Sequence, residues 1–437
     1  MTSISPEELS ALVDHERGLV SRRIYADPEI YRLELEQVFA RCWLYLAHES
    51  QLPNPGDYVS AFMGEEPVFV VRNRQGKVNA FVNSCPHCGS LVCRADAGNT
   101  TSFLCTNHAR TYDLDGKQMG APDDSQAGLP PVAQVDSYKG LIFGVFDPDA
   151  PSLDEYLGDM RWGLDLLLEQ GDMIAVPGVV RWQMDANWKF AADNAIGDMY
   201  HGNITHRSAK LAGHGAGRGI DINTPEGRRA ALQGLGRPGF TVVTEYGHGF
   251  NADYLRDDFD PDAPAAYWRK DPEVQKRMGP LRNRVARANE NVFPNLFVNS
   301  GSRELMLRNP LGPAKMEIWK TTLVDRNASP EAVRAQLNNS NRHFGPAGMF
   351  EMDDGENWDQ STDGTRGIVA RRNDLNYTMG IGYGLIVDDE LGPPRVEVAY
   401  NEHAQLWMYR CWAEFMAAPS WRHLREHHSK PQPGMVL

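Results

Sequence analysis

Short strand-like runs separated by turn residues dominate the chain between about residues 38 and 155. Such runs occupy residues 68–71, 78–82 and 141–146, and the turn Arg74-Gln75-Gly76-Lys77 separates the first two. Runs of β-branched and aromatic residues bounded by glycine-containing turns are typical of antiparallel hairpins. The pattern therefore predicts a small all-β domain at about residues 38–155.

The rest of the chain mixes helical and strand-like patterns. Leu153 to Gly171 has apolar residues near the i, i+3, i+4 spacing of an amphipathic helix, and a second helix is predicted from about Glu402 to Ala417. Between them, residues 317–324 read as a strand. Residues 1–37 are predicted to be helical and to pack on the larger domain. We expect an α+β fold in which the all-β domain is inserted before a mixed domain at 156–437.

Composition and charge narrow the function. The chain has 437 residues, 41% of them hydrophobic, and its 58 acidic residues exceed its 44 basic ones to give a net charge of -14. This charge repels nucleic acid and anionic lipid, so neither is an expected partner. The first thirty residues carry charges throughout and no apolar stretch approaches the eighteen or more residues that a membrane helix needs. We expect a cytoplasmic protein without a signal peptide.

Four of the six cysteines lie within 21 residues of one another, which favours metal ligation over a disulfide framework. The first motif is Cys85-Pro86-His87 followed after 17 residues by Cys105-Thr106-Asn107-His108. Two such loops can supply the two thiolates and two imidazoles of a Rieske [2Fe-2S] centre. The residues Cys85, Cys88, Cys105 and His108 also have the Cys3His spacing of a zinc ribbon. A zinc-binding protein is therefore the alternative interpretation of this motif.

A second group of polar residues lies about a hundred positions further on. On a helix at 100° per residue, Asn194, Asp198 and His201 fall within about 60° of one another. His206 would lie about 140° from His201, so both can reach one metal only if the helix bends or ends between them, and Gly202-Asn203 suits such an end. Two imidazoles and one carboxylate would form the facial triad of O2-activating ferrous enzymes.

The missing carboxylate has four candidates in one acidic segment. Glu351, Asp353, Asp354 and Glu356 follow one another within residues 344–358. The pattern does not choose among them, and a solvated acidic helix face is the alternative interpretation.

Together these motifs resemble one family, the large (alpha) subunits of Rieske non-haem iron aromatic-ring-hydroxylating oxygenases, such as biphenyl, naphthalene and phenylpropionate dioxygenases. The similarity runs from Arg23-Ile24-Tyr25 and Cys42-Trp43-Leu44 to residues 407–419. It implies a Rieske domain inserted in a catalytic domain whose antiparallel sheet is flanked by helices. It also implies that the cluster ligands are Cys85, His87, Cys105 and His108, and that the ligands of one mononuclear Fe(II) are His201, His206 and Asp354.

The resemblance further implies that Asp198 bridges an iron-ligating histidine and the cluster ligand His108 of the partner subunit. The sequence departs from the family at Cys88, where arginine is usual, and at Asn107 and Arg110, where tyrosine and tryptophan are usual. These departures leave the four ligands in place but exchange apolar cover for polar groups. We expect a more solvated cluster with a shifted potential or lower stability.

The implied function is that of a terminal oxygenase, which uses O2 and electrons from NAD(P)H to convert an aromatic substrate to a cis-dihydrodiol or a phenol. The electrons would come through a separate flavin reductase, often with a ferredoxin, because the run Gly215-Ala216-Gly217-Arg218-Gly219 lacks the spacing of a dinucleotide loop. A trimer of large subunits, with or without a small beta subunit, is implied as well. Position suggests four substrate-pocket residues: Asn194, Asn295, Phe344 and Phe350. The alternatives are a zinc-ribbon binding protein and an electron carrier without oxygenase activity.

Overall fold

The computed structural model describes residues 4–120, 128–213, 223–226, 238–257 and 259–432. The run Gly215–Gly219 lies outside these residues. The chain divides into two compact units, one formed by Met1–Leu33 with Leu157–Leu437 and the other by Glu34–Tyr156. We describe each unit by itself.

The N-terminal segment is helical with one small hairpin. Its helices are α1 (Pro6–Ser10), α2 (Arg23–Ala26) and α3 (Pro28–Glu34), and a π-helical turn follows at Leu35–Phe39. Ser5 and Glu8 form a capping box that begins α1. The hairpin, which the sequence pattern did not predict, joins β1 (Val13–Asp14) to β2 (Leu19–Val20).

The Glu34–Tyr156 unit is built from short antiparallel strands, as predicted. Its core joins Phe69, Phe81 and Phe103 to Tyr112 and to the buried Cys85. A four-stranded sheet has the order β6-β5-β4-β7, a three-stranded sheet has the order β10-β11-β3, and β8 pairs with β9. The strands are β3 (Leu44–His48), β4 (Asp57–Met63), β5 (Glu66–Arg72), β6 (Val78–Val82), β7 (Ala97–Asn99), β8 (Phe103–Leu104), β9 (Thr111–Tyr112), β10 (Gln134–Tyr138) and β11 (Leu141–Val145).

The helix predicted from Leu153 to Gly171 is two helices, α4 (Leu153–Leu157) and α5 (Met160–Leu168). The break lies at Gly158, whose φ of 47° ends α4. The carboxylate of Glu245 lies where a Cβ at position 158 would be, and it accepts a hydrogen bond from the Asp159 amide at 3.0 Å. The close approach of Glu245 explains why the apolar periodicity does not give one helix.

The other unit contains a ten-stranded antiparallel sheet. Nine strands follow the order β12-β19-β18-β17-β16-β15-β14-β22-β21, and β13 also pairs with β19. The strands are β12 (Met173–Ala175), β13 (Val180–Met184), β14 (Gly239–Val243), β15 (Gly249–Tyr254), β16 (Val285–Val292), β17 (Leu296–Asn299), β18 (Glu304–Pro310), β19 (Met316–Asp325), β21 (Ile386–Val387) and β22 (Arg395–Val396); β20 (Leu375–Asn376) pairs with β2 instead.

Helices flank this sheet. Helix α6 packs on β15 and β16, and it also contacts α10 and α11. The α+β fold with an antiparallel sheet flanked by helices is thus confirmed. The helices of this unit after α5 are α6 (Trp188–Gly197), α7 (Arg207–Leu211), α8 (Pro272–Arg282), α9 (Pro330–His343), α10 (Met349–Arg366), α11 (His403–Ala417) and α12 (Trp421–His427). Over the described ranges, no helix combines the length and apolar character that crossing a membrane requires.

Candidate metal centres

The first residues of the candidate iron site, Asn194 and Asp198, lie at the C-terminal end of helix α6. Asn187 caps its N-terminus by accepting a hydrogen bond from the Lys189 amide. The prediction that this helix continues to His201 is wrong: α6 ends at Gly197 and Asp198 is extended, with φ -74° and ψ 94°. The Asp198 carboxylate accepts a hydrogen bond from the His201 amide at 3.2 Å, a local bond that competes with the helix.

The three predicted iron ligands come together at the end of this segment. The Nε2 atoms of His201 and His206 lie 3.2 Å apart, and Asp354 Oδ1 lies 3.3 Å from the first and 3.4 Å from the second. Ligand atoms that share a first-row metal at about 2.1 Å lie about 3.0 to 3.4 Å apart for right-angled to tetrahedral geometry. The three donors therefore fit one divalent metal ion, and a 2-His-1-carboxylate set suits ferrous iron.

Each imidazole is also bound at its other nitrogen. Asp198 Oδ2 lies 3.2 Å from His201 Nδ1, which is also 3.3 Å from the amide nitrogen of Asn194. Asp353 Oδ2 lies 3.4 Å from His206 Nδ1. A carboxylate at Nδ1 fixes the ring and directs Nε2 to a metal.

The electrostatics of the three donors favour a cation between them. Burial raises the pKa of Asp354 to about 8 although His201 opposes the shift. Burial alone would lower the pKa of His201, but Asp354 and Asp198 outweigh it and raise the pKa to about 9. Burial, with the nearby His201, lowers the pKa of His206 to about 3. Asp354 Oδ1 is buried and no donor is aligned to it, as expected of an atom that a metal would bind.

The four acidic candidates on α10 have four different surroundings. Asp354 faces the two Nε2 atoms, and Asp353 faces His206 Nδ1. Glu351 is buried and lines a neighbouring cavity. Glu356 is exposed and accepts a hydrogen bond from Gln360 on the same helix.

A cavity that is open to solvent lies beside the His201, His206 and Asp354 donors. Three of the four predicted substrate residues, Asn194, Phe344 and Phe350, line it. Asn295 is not among the lining residues, because its buried amide donates to the Arg308 carbonyl at 3.2 Å. The basic and polar lining residues that the sequence analysis did not identify are Lys210, Arg287, Asn289 and Arg308. No local sequence pattern marks them, because Lys210 lies on α7 and the other three lie on the separate strands β16 and β18.

The cysteine-histidine motifs form two neighbouring loops in the Glu34–Tyr156 unit. Cys85 follows β6, and residues 105–110 connect β8 to β9. Cys85 and Cys105 are buried, whereas the rings of His87 and His108 are exposed and 4.7 Å apart. A buried thiolate pair and an exposed imidazole pair match the two-sided ligand set of a Rieske cluster.

Cys85 is prepared for ligation by its surroundings. Burial acts to raise the pKa of this thiol, but the Tyr112 hydroxyl at 3.2 Å and nearby backbone amides outweigh it and lower the pKa to about 7. Cys88 lies beside the ligands, with its Sγ 3.7 Å from that of Cys105. The sulfur atoms of Cys85, Cys88 and Cys105 lie within 4.8 Å of one another, so the geometry by itself also permits a three-cysteine site.

Comparison with known proteins decides between these interpretations. The family model of the ring-hydroxylating alpha subunit catalytic domain matches residues 153–418, and that of the Rieske [2Fe-2S] domain matches residues 42–139. The chain belongs to the Rieske ring-hydroxylating alpha subunits. The predicted oxygenase class and its cofactors, a Rieske cluster and non-haem iron, are thus confirmed, and neither the zinc-ribbon nor the electron-carrier alternative is supported.

Relatives of this alpha subunit match over nearly the whole chain. The biphenyl dioxygenase alpha subunit of Paraburkholderia xenovorans is 35% identical and covers 97% of this chain and 96% of its own. The structure of a naphthalene 1,2-dioxygenase variant bound to phenanthrene has a TM-score of 0.85 at 29% identity, covering 95% of this chain and 96% of its own. That of naphthalene 1,2-dioxygenase from Rhodococcus sp. bound to indole has a TM-score of 0.82 at 32% identity, covering 95% and 100%.

Proposed function

We propose that this alpha subunit hydroxylates an aromatic ring with O2 at a site whose iron ligands are His201, His206 and Asp354. The observation that carries the assignment is the mutual spacing of their three donor atoms, 3.2 to 3.4 Å, beside a cavity lined by aromatic and polar side chains. The product would be a cis-dihydrodiol or a phenol.

The chemistry that the two iron groups supply when bound is electron transfer and activation of O2. The chain's own side chains position the donors and shield them. Asp198 and Asp353 hold the imidazoles by their Nδ1 atoms. The ring of Phe350 packs on that of His206 at 4.6 Å, and it lines the cavity together with Phe344. Such apolar cover excludes water from the face on which a substrate ring would lie.

We assign the cluster to Cys85, His87, Cys105 and His108, with the Tyr112 hydroxyl donating to the Cys85 sulfur. This unit would correspond to residues 38–155, between an N-terminal segment at 1–37 and the catalytic domain at 156–437. The exposed imidazoles of His87 and His108 are the side of the motif that a redox partner or another subunit can approach.

Electron supply requires other proteins. We propose a flavin reductase that oxidises NAD(P)H, with or without a ferredoxin, and a trimer of alpha subunits, with or without a small beta subunit. In the trimer, Asp198 would join His201 to His108 of the partner subunit by hydrogen bonds. The Oδ2 atom of Asp198 already contacts His201 at 3.2 Å, and its side chain keeps 28% exposure for a second contact.

The test compares His206→Ala with His423→Ala. His423 is an exposed histidine of α12 and serves as the matched control. We expect His206→Ala to lose about one iron per chain and all oxygenated product, with acid-labile sulfide unchanged, and His423→Ala to lose neither. Full iron content in His206→Ala would contradict the assignment.

A further inference from the structure

The cavity beside the iron ligands carries three basic side chains. Lys210, Arg287 and Arg308 line it, against the two carboxylates of Glu351 and Asp354. Asp354 is one of the proposed iron ligands. With a divalent ion in place, the charges around the cavity would therefore be predominantly positive.

Strand register explains how these residues meet. Side chains two apart on a strand share a face of the sheet, so Arg287 and Asn289 of β16 lie on the same side. Asn289 pairs with Asn299 of β17, and Phe297, two residues before it, pairs with Met306 of β18. Arg308 follows Met306 by two residues. The lining residues Arg287, Asn289, Phe297 and Arg308 therefore form one continuous face across three strands.

Arg308 is the most deeply buried of these cations. It is 2% exposed, and its guanidinium lies 4.7 Å from the centre of the Phe297 ring. Its Nη1 donates to the Met306 carbonyl at 3.3 Å, whereas its buried Nε has no hydrogen-bond partner among the described residues. Burial lowers its pKa to about 10, so it stays charged at neutral pH. No described carboxylate lies within ion-pair distance of it, although the nearby carboxylates of Glu351 and Asp354 act to raise its pKa.

Asn289 and Arg287, its two neighbours on β16, differ in how many of their hydrogen-bonding groups have a partner. Asn289 accepts a hydrogen bond from Asn299 at 2.7 Å, and its own amide nitrogen donates to no described residue. Arg287 is bound through its Nε to Asp253 at 3.0 Å and keeps 38% exposure. Arg308 Nε and the Asn289 amide nitrogen thus lack an acceptor among the described residues, both residues line the cavity, and Arg287 adds positive charge.

A hydrocarbon would make poor use of these donors. An apolar ring beside the Arg308 guanidinium, which is already buried, would leave its Nε without an acceptor, so a hydrocarbon would gain no polar contact there. A carboxylate on the ring would provide charge-assisted hydrogen bonds to a buried guanidinium that is already held in place. The aromatic side chains Phe297, Phe344 and Phe350 remain available for the ring.

We propose that the substrate of this site is an aromatic carboxylate, whose ring lies among Phe297, Phe344 and Phe350 and whose carboxylate is bound by Arg308 and Asn289. The proposal rests on the proposed oxygenase function and names its substrate class. Arg308 would determine specificity, because it contacts the carboxylate of the substrate and not the carbons that react.

The experiment uses the holoenzyme and three compounds with one ring system: naphthalene-2-carboxylate, naphthalene-2-carboxamide and naphthalene. Dissociation constants from calorimetry are compared for wild type, Arg308→Gln, Arg308→Lys and Asn289→Ala. Arg326→Gln, which removes an exposed arginine outside the cavity, is the matched control for the loss of one charge.

We expect wild type to bind the carboxylate about tenfold or more tightly than the amide or the hydrocarbon. Arg308→Gln should weaken carboxylate binding about tenfold to a hundredfold and leave naphthalene within about threefold, with partial rescue in Arg308→Lys. A smaller loss confined to the carboxylate is expected for Asn289→Ala and none for Arg326→Gln.

Equal affinities of wild type for the three compounds would overturn the proposal, and this comparison does not depend on any variant folding. An equal loss for all three compounds in Arg308→Gln would overturn it too. Oxygenation of naphthalene with no binding of the carboxylate would refute the substrate class while keeping the oxygenase function. Binding of the carboxylate without oxygenation of any aromatic compound would instead contradict the oxygenase function.

Discussion

Asp193, a fully buried carboxyl on α6, is expected to make the stability of the protein fall as pH rises. Tyr377 and Tyr409 each donate to its Oδ2 at 2.7 Å, and Tyr377 also contacts the hydroxyl of Tyr25 at 3.1 Å. Burial raises the pKa of Asp193 from 3.8 to about 7, although the two tyrosine hydroxyls oppose the shift. The folded protein therefore keeps a proton there that the unfolded chain releases above about pH 4.

The size of the effect follows from proton linkage. Where the folded state binds more protons than the unfolded state, the free energy of unfolding decreases with pH by about 1.4 kcal/mol per pH unit. The decrease should run from the unfolded pKa of Asp193 to its folded pKa of about 7 and then stop. Between pH 5 and pH 7 it amounts to about 2 kcal/mol, because Asp193 is half ionised in the folded protein at pH 7.

The perturbation that isolates this group is Asp193→Asn, which keeps an oxygen for the tyrosine hydroxyls and removes the titration. The free energy of unfolding would be measured with urea for both proteins at pH 5, 6, 7 and 8. Groups common to the two proteins cancel in the difference. We expect the stability of Asp193→Asn relative to wild type to rise by about 2 kcal/mol from pH 5 to pH 7 and then to level off.

A second variant sharpens the test. Tyr409→Phe removes one hydroxyl that favours the charged carboxylate, so the decline in stability should extend to higher pH. Infrared spectra of wild type should show a protonated buried carboxyl at pH 6 that Asp193→Asn lacks. A stability difference between Asp193→Asn and wild type that is the same at all four pH values would refute the reasoning.

Three further predictions concern the cluster, the link between subunits and the sheet. Cys88→Ser should keep two sulfides per chain and the Rieske EPR signal, with a shifted reduction potential, because the Cys88 sulfur lies 3.7 Å from that of Cys105 without being a proposed ligand. Loss of the cluster in this variant would show that Cys88 is a ligand. Asp198→Asn should keep the cluster and the mononuclear iron yet slow NAD(P)H-driven turnover at least about tenfold, whereas unchanged turnover would exclude its bridging role. Lys320→Met should lower the free energy of unfolding by about 3 kcal/mol because it leaves Glu304, now 3.0 Å away and wholly buried, without its cation. Urea titration would measure this, and replacing Glu304 by Leu in the same chain should recover much of the loss, a result that simple cavity formation would not give.

The sequence predicted the architecture well because short-range patterns carry it. Turn residues and apolar runs gave the all-β unit, and the 3.6-residue period gave the helix that ends at Ala417. The early end of α6 escaped prediction because the side chain of Asp198 accepts a hydrogen bond from the His201 amide, a local bond that periodicity does not record. The break at Gly158 depends on Glu245, which is distant in sequence.

The candidate site was predictable only where spacing constrains it. His201 and His206 and the two Cys-His loops have the sequence spacing of known metal-binding motifs. The choice among the four acidic residues on α10 needed the family resemblance. Arg308 and Asn289 could not be found in advance. Their side chains enter the cavity because β16, β17 and β18 align in one register, and pairings between strands are long-range information that local pattern lacks.

The measurement that tests the central claim most directly is the EPR spectrum of anaerobically prepared, dithionite-reduced protein, with iron, zinc and acid-labile sulfide determined on the same sample. We predict a Rieske-type signal, about two sulfides and close to three irons per chain. Zinc in the protein, with neither sulfide nor signal, would contradict the account and would make Cys85, Cys88, Cys105 and His108 a structural zinc site.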